Sequence, residues 1–125
     1  MDWIDGNVAV GSWVDAWRIG MLMREEIDLI IDARTLFHRV PWYGGRVPYV
    51  DRVKRSADLL LSTSSLGARV LVRCRWGKDR TPFVAMMYVS RRYNLPLMKA
   101  YELVKQKRPQ TRVHLDWVRI IEEGK

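Results

Sequence analysis

The chain has one cysteine, Cys74, and it opens the run Cys74-Arg75-Trp76-Gly77-Lys78-Asp79-Arg80-Thr81, which puts an arginine six positions after a potential nucleophile. Five intervening residues wrapped into a tight loop can aim their backbone N–H groups inward at one phosphate-sized anion, and Arg80 then closes the ring. A sulfur nucleophile beside a bound phosphate is equipped for attack on phosphorus. The thiolate is the reactive form, and a helix N-terminus and neighbouring cations favour it. Arg73, Arg75, Lys78 and Arg80 supply those cations, and Thr81 follows where its hydroxyl can donate to the sulfur. A free cysteine is also often just a small buried hydrophobe, so the elements around the run must decide.

Those elements have the right order. Val70-Leu71-Val72 is a β-branched and apolar run that reads as a buried strand leading into the loop. Pro82 suits the first turn of a helix, and Phe83, Met86, Met87, Val89 and Ser90 continue that helix toward Tyr93. Strand, anion-sized loop and helix N-terminus make a phosphate site, because unpaired N–H groups and the helix dipole both favour negative charge there.

The segment from Val70 through Cys74 to Arg80-Thr81 resembles the signature loop of the cysteine-dependent protein tyrosine phosphatases, in particular the small dual-specificity branch. Residues 4–12 are similar to that branch's opening strands, residues 27–32 to its next core strand, and Met98 through Arg108-Pro109 to its helix ending in Arg-Pro. The family usually has histidine before the nucleophile and glycine or serine after the Arg-Thr pair; here these places hold Arg73 and Pro82. Gly77-Lys78-Asp79-Arg80-Thr81 also resembles the loop of bacterial phosphatases that accept phosphoinositides. The resemblance implies hydrolysis of phosphomonoesters through a phosphocysteine, on phosphotyrosine first and phosphoserine or phosphothreonine second. Phosphoinositides or RNA 5′-phosphates come next, and a non-catalytic phosphate-binding module is the rival of another class.

Cleavage also needs an acid for the departing oxygen and a base for the later attack of water. Asp51 is the first choice, because Arg46-Val47-Pro48-Tyr49-Val50-Asp51 resembles the family's short strand and proline before the acid-bearing loop; capping the following helix is its alternative role. Asp79 is second, by likeness to the myotubularin-like lipid phosphatases, and Asp32, at the end of a strand, is third. Arg80 holds two equatorial phosphate oxygens. Arg75, Trp76, Gly77, Lys78 and Asp79 complete the expected substrate-binding loop. Trp42, Tyr43 and Trp76 either wall the pocket or pack ordinarily. His38 and His114 lack ligand-like spacing; neither a metal site nor a cofactor is expected.

The remaining composition sets bounds. At 125 residues the chain, 1–125, reads as a single phosphatase domain. The net charge of +8 attracts anionic polymers or lipid head groups as readily as phosphorylated protein, or is merely a basic surface. No apolar run reaches membrane-spanning length and no signal-peptide pattern is visible; with a lone thiol this points to a cytoplasmic monomer. Helices are expected over residues 15–26 and about 51–62, from Pro82 toward Tyr93, from Pro96 to a stop before Pro109, and around Leu115, Val118 and Ile121, and strands at about 8–10, 28–32 and 70–73, with edge strands near Trp3 and at 47–50. The fold class is α/β: a central, mainly parallel sheet of about four to five strands with helices on both faces, dual-specificity-phosphatase-like. The nucleophile loop then leaves the carboxyl end of a central strand, where such sheets bind ligands.

Overall fold

A computed structural model describes residues 1–124. Its sheet has four strands in the order β1-β2-β6-β3. They are β1 (Asp2–Trp3), β2 (Val8–Ser12), β3 (Leu29–Asp32) and, after a separate hairpin of β4 (Phe37–Val40) and β5 (Gly45–Pro48), β6 (Val70–Cys74). Both β2 and β3 run parallel to β6, while β1 is antiparallel to β2. The register sets Ser12 opposite Cys74 and Asp32 opposite Arg73, so three strand ends converge on one edge.

The helices are α1 (Trp13–Trp17), α2 (Ile19–Arg24), α3 (Val50–Ser65), α4 (Arg80–Tyr93), α5 (Leu97–Lys107) and α6 (Leu115–Glu123). Val8, Val10, Val70 and Val72 alternate onto one face and join the core with Val53, Ala57 and Leu60 of α3 and Phe83, Met86 and Met87 of α4. Because β6 is central, it is apolar on both faces: Leu71 is fully buried with its neighbour Ala9. The layer over that second face is thinner, and Ile30, in register with Leu71 on the edge strand β3, keeps 40% of its surface exposed. Phe83, Phe37 and Trp117 form an aromatic cluster that seats α6 near the hairpin, and the Trp117 indole N–H donates to the Arg46 carbonyl at 3.0 Å.

Several elements depart from the sequence reading. The helix expected over 15–26 is two short helices broken at Arg18, whose ψ of 77° is not helical. The buried Asp15 carboxylate accepts from the Ser12 N–H at 2.9 Å and pairs with the N-terminal ammonium at 3.4 Å, tying α1 to the sheet edge. The helix expected over 51–62 extends to Ser65; Thr63 and Ser64 donate their hydroxyls to carbonyls of the preceding turn, which leaves the extra turn with satisfied polar groups. The edge strand placed at 47–50 is instead β5 at 45–48, in a sheet of its own with β4. Val50 already begins α3, and the Tyr49 N–H is spent on the Leu36 carbonyl. Among the described residues no helix is long and apolar enough to cross a membrane.

Candidate active site

The loop at the carboxyl end of β6 is held from outside. The carbonyl of Arg75 accepts from the Trp13 amide at 3.3 Å, and that of Lys78 from the Arg112 amide at 2.7 Å. Arg108, buried at the end of α5, donates from Nε to the Gly77 carbonyl at 2.7 Å and from Nη2 to the Trp76 carbonyl at 3.3 Å; its Nη1 lies 2.7 Å from the Asp2 carboxylate. Four consecutive carbonyls thus point away from the loop centre. The amides of Trp76, Lys78 and Asp79 make no hydrogen bond among the described residues. Gly77 permits the turn: its φ is +68°, and a Cβ there would lie 2.6 Å from the Gly11 carbonyl oxygen.

Cys74 sits at the floor, 2% exposed, and its sulfur accepts from the Gly77 N–H at 3.2 Å. Arg80, the first residue of α4, borders the basin, and its Nη1 is buried without a hydrogen-bond partner among the described residues. Burial pulls the Arg80 guanidinium below its ordinary value against the attraction of Cys74, and Arg46 and Arg34 push it further down. A site that crowds three guanidinium groups favours an anion. The hollow above, about 350 Å³, is lined by Asp32, Arg34, Thr35, Arg46, Arg75 and Arg80.

The other residues singled out in the sequence separate. Thr81 is fully buried, but its hydroxyl makes no hydrogen bond among the described residues; the donor to the sulfur is the Gly77 amide instead. Pro82 closes the first turn of α4 as expected for a residue without N–H. Asp79 pairs with His114, whose Nε2 is 2.7 Å from its carboxylate, and with Arg112 at 3.8 Å. With Arg46, Arg80 and Trp117 these three line an adjoining hollow of about 310 Å³. Asp51 is exposed in the first turn of α3, without a hydrogen bond or ion pair among the described residues, and lines neither hollow. Asp32 does face the basin, paired with Arg34 at 2.8 Å and Arg73 at 3.0 Å. Burial alone would raise its carboxyl, yet the hydrogen bonds from Arg34 and the charges of Arg73 and Arg34 hold it below the usual carboxylate range. Arg75 and Trp76 are exposed beside one another, with the guanidinium 5.3 Å from the ring. The Lys78 side chain borders none of these hollows, nor do Trp42 and Tyr43, which project from the β4–β5 hairpin. His38 stacks on Tyr49 at 4.2 Å.

Sequence reasoning missed Arg34, Arg46, the loop-bracing role of Arg108, and His114 as the partner of Asp79. None carries a local signal: each reaches the loop from a distant element. Arg108 and Arg46 did stand in recognisable segments, the Arg-Pro at the end of a helix and the short strand before Asp51, but nothing in those segments marks their contact with the loop.

No family model matches the chain. Protein-tyrosine-phosphatase IBR5 of Arabidopsis thaliana is 38% identical over 56 residues, which are 45% of this chain and 22% of that protein. Human dual specificity protein phosphatase 16 is 31% identical over 70 residues, 56% of this chain and 9% of that protein. The solved structure of human DUSP28 superimposes with a TM-score of 0.79 at 18% identity, covering 99% of this chain and 96% of that one. DUSP15 gives 0.81 at 20% identity, covering 98% and 85%. Over about half of its length the chain is similar in sequence to protein-tyrosine and dual-specificity phosphatases. It has their fold over nearly its whole length, although it spans less than a quarter of the curated relatives it matches.

Proposed function

We propose that the chain is a cysteine-dependent phosphomonoester hydrolase, acting on phosphotyrosine first and on phosphoserine or phosphothreonine second. The observation that carries this reading is the loop with its carbonyls tied outward, the Cys74 sulfur at its floor and, beside it, an Arg80 nitrogen unpartnered among the described residues. The names of the relatives support phosphorylated protein as the substrate class. In the first step the Cys74 thiolate attacks phosphorus, the ester P–O bond breaks, and the departing oxygen takes a proton from a carboxyl group. Loop amides and Arg80 hold the three equatorial oxygens, where charge builds up in the transition state. In the second step the same carboxylate removes a proton from water, the water oxygen attacks the phosphocysteine, and the P–S bond breaks to release phosphate and the thiolate.

For the acid, the geometry favours Asp79 over Asp51. Asp79 lines a hollow shared with Arg80 and has His114 to fix its orientation, whereas Asp51 is exposed and uncontacted. Asp32, the carboxylate that lines the basin itself, is less suitable, because the arginines that hold it ionised oppose the protonated form a donor needs. The role of Thr81 in this reading is to pack the first turn of α4, where it is fully buried.

The test is hydrolysis of p-nitrophenyl phosphate by wild type and by Cys74→Ser, with quenched-flow trapping of acid-stable phosphoenzyme. A hydrolase turns over, loses turnover in Cys74→Ser, and shows phosphate on the wild-type cysteine. A chain that binds phosphate tightly but shows no Cys74-dependent turnover would be the binding module instead.

A further inference from the structure

The helices α1 and α2 carry their large apolar side chains outward. Trp17 is 73% exposed, Ile19 69% and Met23 74%, and among the described residues α2 contributes nothing buried to the core. Trp13, also exposed, lies one turn before Trp17, and Ile19 lies one turn before Met23, so each helix presents an apolar pair to water. Exposed apolar groups scattered singly need no explanation, but a run of them on two consecutive helices marks an interaction surface.

The charge around these helices says what kind of partner fits. Trp13 and Trp17 line a hollow of about 450 Å³ together with Arg34, Arg73, Arg75 and Trp76. Asp32 pairs with Arg34 at 2.8 Å and with Arg73 at 3.0 Å, so three guanidinium groups share one carboxylate and the hollow stays positive. Arg18, exposed at the break between the helices, and Arg24, exposed in the last turn of α2, extend that charge along the apolar run. The acids that follow α2 are Glu25, tied to Arg69 at 3.5 Å, and the exposed Glu26.

A second copy of the chain suits this face badly, because a two-fold contact sets the same arginines against one another. A peptide seated in the hollow would cover the indoles but leave Ile19 and Met23, which do not line it, in water. An anionic bilayer meets both needs. Indoles settle at the level of the head groups, aliphatic chains enter the acyl boundary, and arginines meet lipid phosphates.

We propose that the α1–α2 face docks this protein on a membrane surface rich in anionic phospholipid, with a head-group phosphate in the hollow lined by Arg34, Arg73 and Arg75. The lipid is a docking partner and not a substrate, since that hollow lies beside the basin over Cys74 and shares only Arg34 and Arg75 with it. The assay is co-sedimentation of the full chain with vesicles of phosphatidylcholine alone and of phosphatidylcholine mixed with phosphatidylserine. The mixed vesicles bind at least tenfold more tightly, and their advantage shrinks as salt screens the arginines. Ile19→Ser combined with Met23→Ser weakens mixed-vesicle binding at least fivefold, as does Trp17→Ala by itself. These exposed changes leave the thermal midpoint and p-nitrophenyl phosphate turnover unchanged. Cys74→Ser binds the vesicles as wild type does, so docking and the hydrolase reading fail separately.

Equal binding to the two kinds of vesicle, or mixed-vesicle binding indifferent to either apolar variant, overturns the proposal; the second result would reduce it to attraction by net charge. Failure to bind vesicles, with an acidic phosphotyrosine decapeptide held through Trp17 instead, overturns it as well and assigns the hollow to a peptide.

Discussion

Arg108 ties the far end of α5 to the phosphate loop, and its removal should cost both stability and rate. The side chain is buried, with Nε 2.7 Å from the Gly77 carbonyl, Nη2 3.3 Å from that of Trp76, and Nη1 2.7 Å from Asp2. Arg108→Ala strands two carbonyls. A hydrogen bond to a charged donor contributes about 1.5–3 kcal/mol, and the 3.3 Å bond belongs at the weak end. Asp2 is 35% exposed at its side chain, so water replaces much of its lost partner and adds little. The sum is about 3–4 kcal/mol, against a total on the order of 6–19 kcal/mol for a chain of this length. Arg108→Ala should therefore remain folded at 25 °C while melting roughly 10–15 °C lower. Nothing would then keep the Trp76 and Gly77 carbonyls turned outward, and a carbonyl swung toward bound phosphate opposes it, so kcat/KM on p-nitrophenyl phosphate should fall at least tenfold. Arg108→Lys keeps the charge but cannot span both carbonyls, and should lie between. Calorimetric melting and steady-state kinetics on the same preparations give both readouts. A melting point within 3 °C of wild type, together with kcat/KM within twofold, would refute the claim that the loop is shaped from outside.

Gly77→Ala meets two obstacles at once, a φ of +68° and a Cβ 2.6 Å from both the Gly11 carbonyl oxygen and the Arg108 guanidinium. It should destabilise by about 3 kcal/mol or more, read as a lower denaturant midpoint with unchanged slope. Asp79→Asn should slow phenyl phosphate hydrolysis roughly 10²-fold but barely affect 2,4-dinitrophenyl phosphate, whose leaving group needs no proton; Asp51→Asn should leave both rates alone, and the reverse pattern would restore Asp51 as the acid. For Asp5, burial alone would raise the carboxyl, but hydrogen bonds from Tyr88, the Asn7 amide, Tyr93 and the Val8 amide together hold it below the usual range. A carboxyl lowered on folding stabilises the native state above its unfolded value and loses that contribution as pH falls through the folded one. Wild-type stability should thus decline as pH drops below about 4, and Asp5→Asn should flatten that decline in melts across an acid series. Some slope should persist in that variant, because Asp15 and Asp32 are lowered as well.

What the sequence made legible followed from local chemistry. The buried strand Val70–Cys74, the loop and the helix after it are contiguous, and each leaves its own mark: β-branching, a glycine at positive φ, a proline in the first helical turn. The apolar spacing of α3, α5 and α6 was equally readable, apart from the ends. The break at Arg18 was not, since it answers to the carboxylate of Asp15 being drawn to the sheet edge, a tertiary event inside a run with helical spacing. Nor was β4, whose pairing with β5 depends on a turn with Gly44 at a φ of +76°.

The same distinction bears on the choice of acid, for which the sequence offers only the residues beside each carboxylate. Asp51 was chosen for the proline and strand before it, yet α3 begins at Val50 and holds Asp51 in its first turn, exposed and clear of the hollows. What decides between carboxylates is the partner each one meets, and those partners lie far along the chain. Asp32 meets Arg73 across a strand pair and Arg34 on its own side, and so is kept ionised. Asp79 meets His114, whose ring is stacked 3.7 Å from Trp117, itself anchored to the hairpin through the Arg46 carbonyl. The loop therefore draws its shape from α5 through Arg108 and the orientation of its nearest carboxylate from α6 through His114. Replacing His114 by Asn, which can still hydrogen-bond Asp79 but cannot stack so extensively on Trp117, should consequently reduce kcat on phenyl phosphate more than it raises KM. A change confined to KM would mean that His114 serves substrate binding rather than the orientation of Asp79.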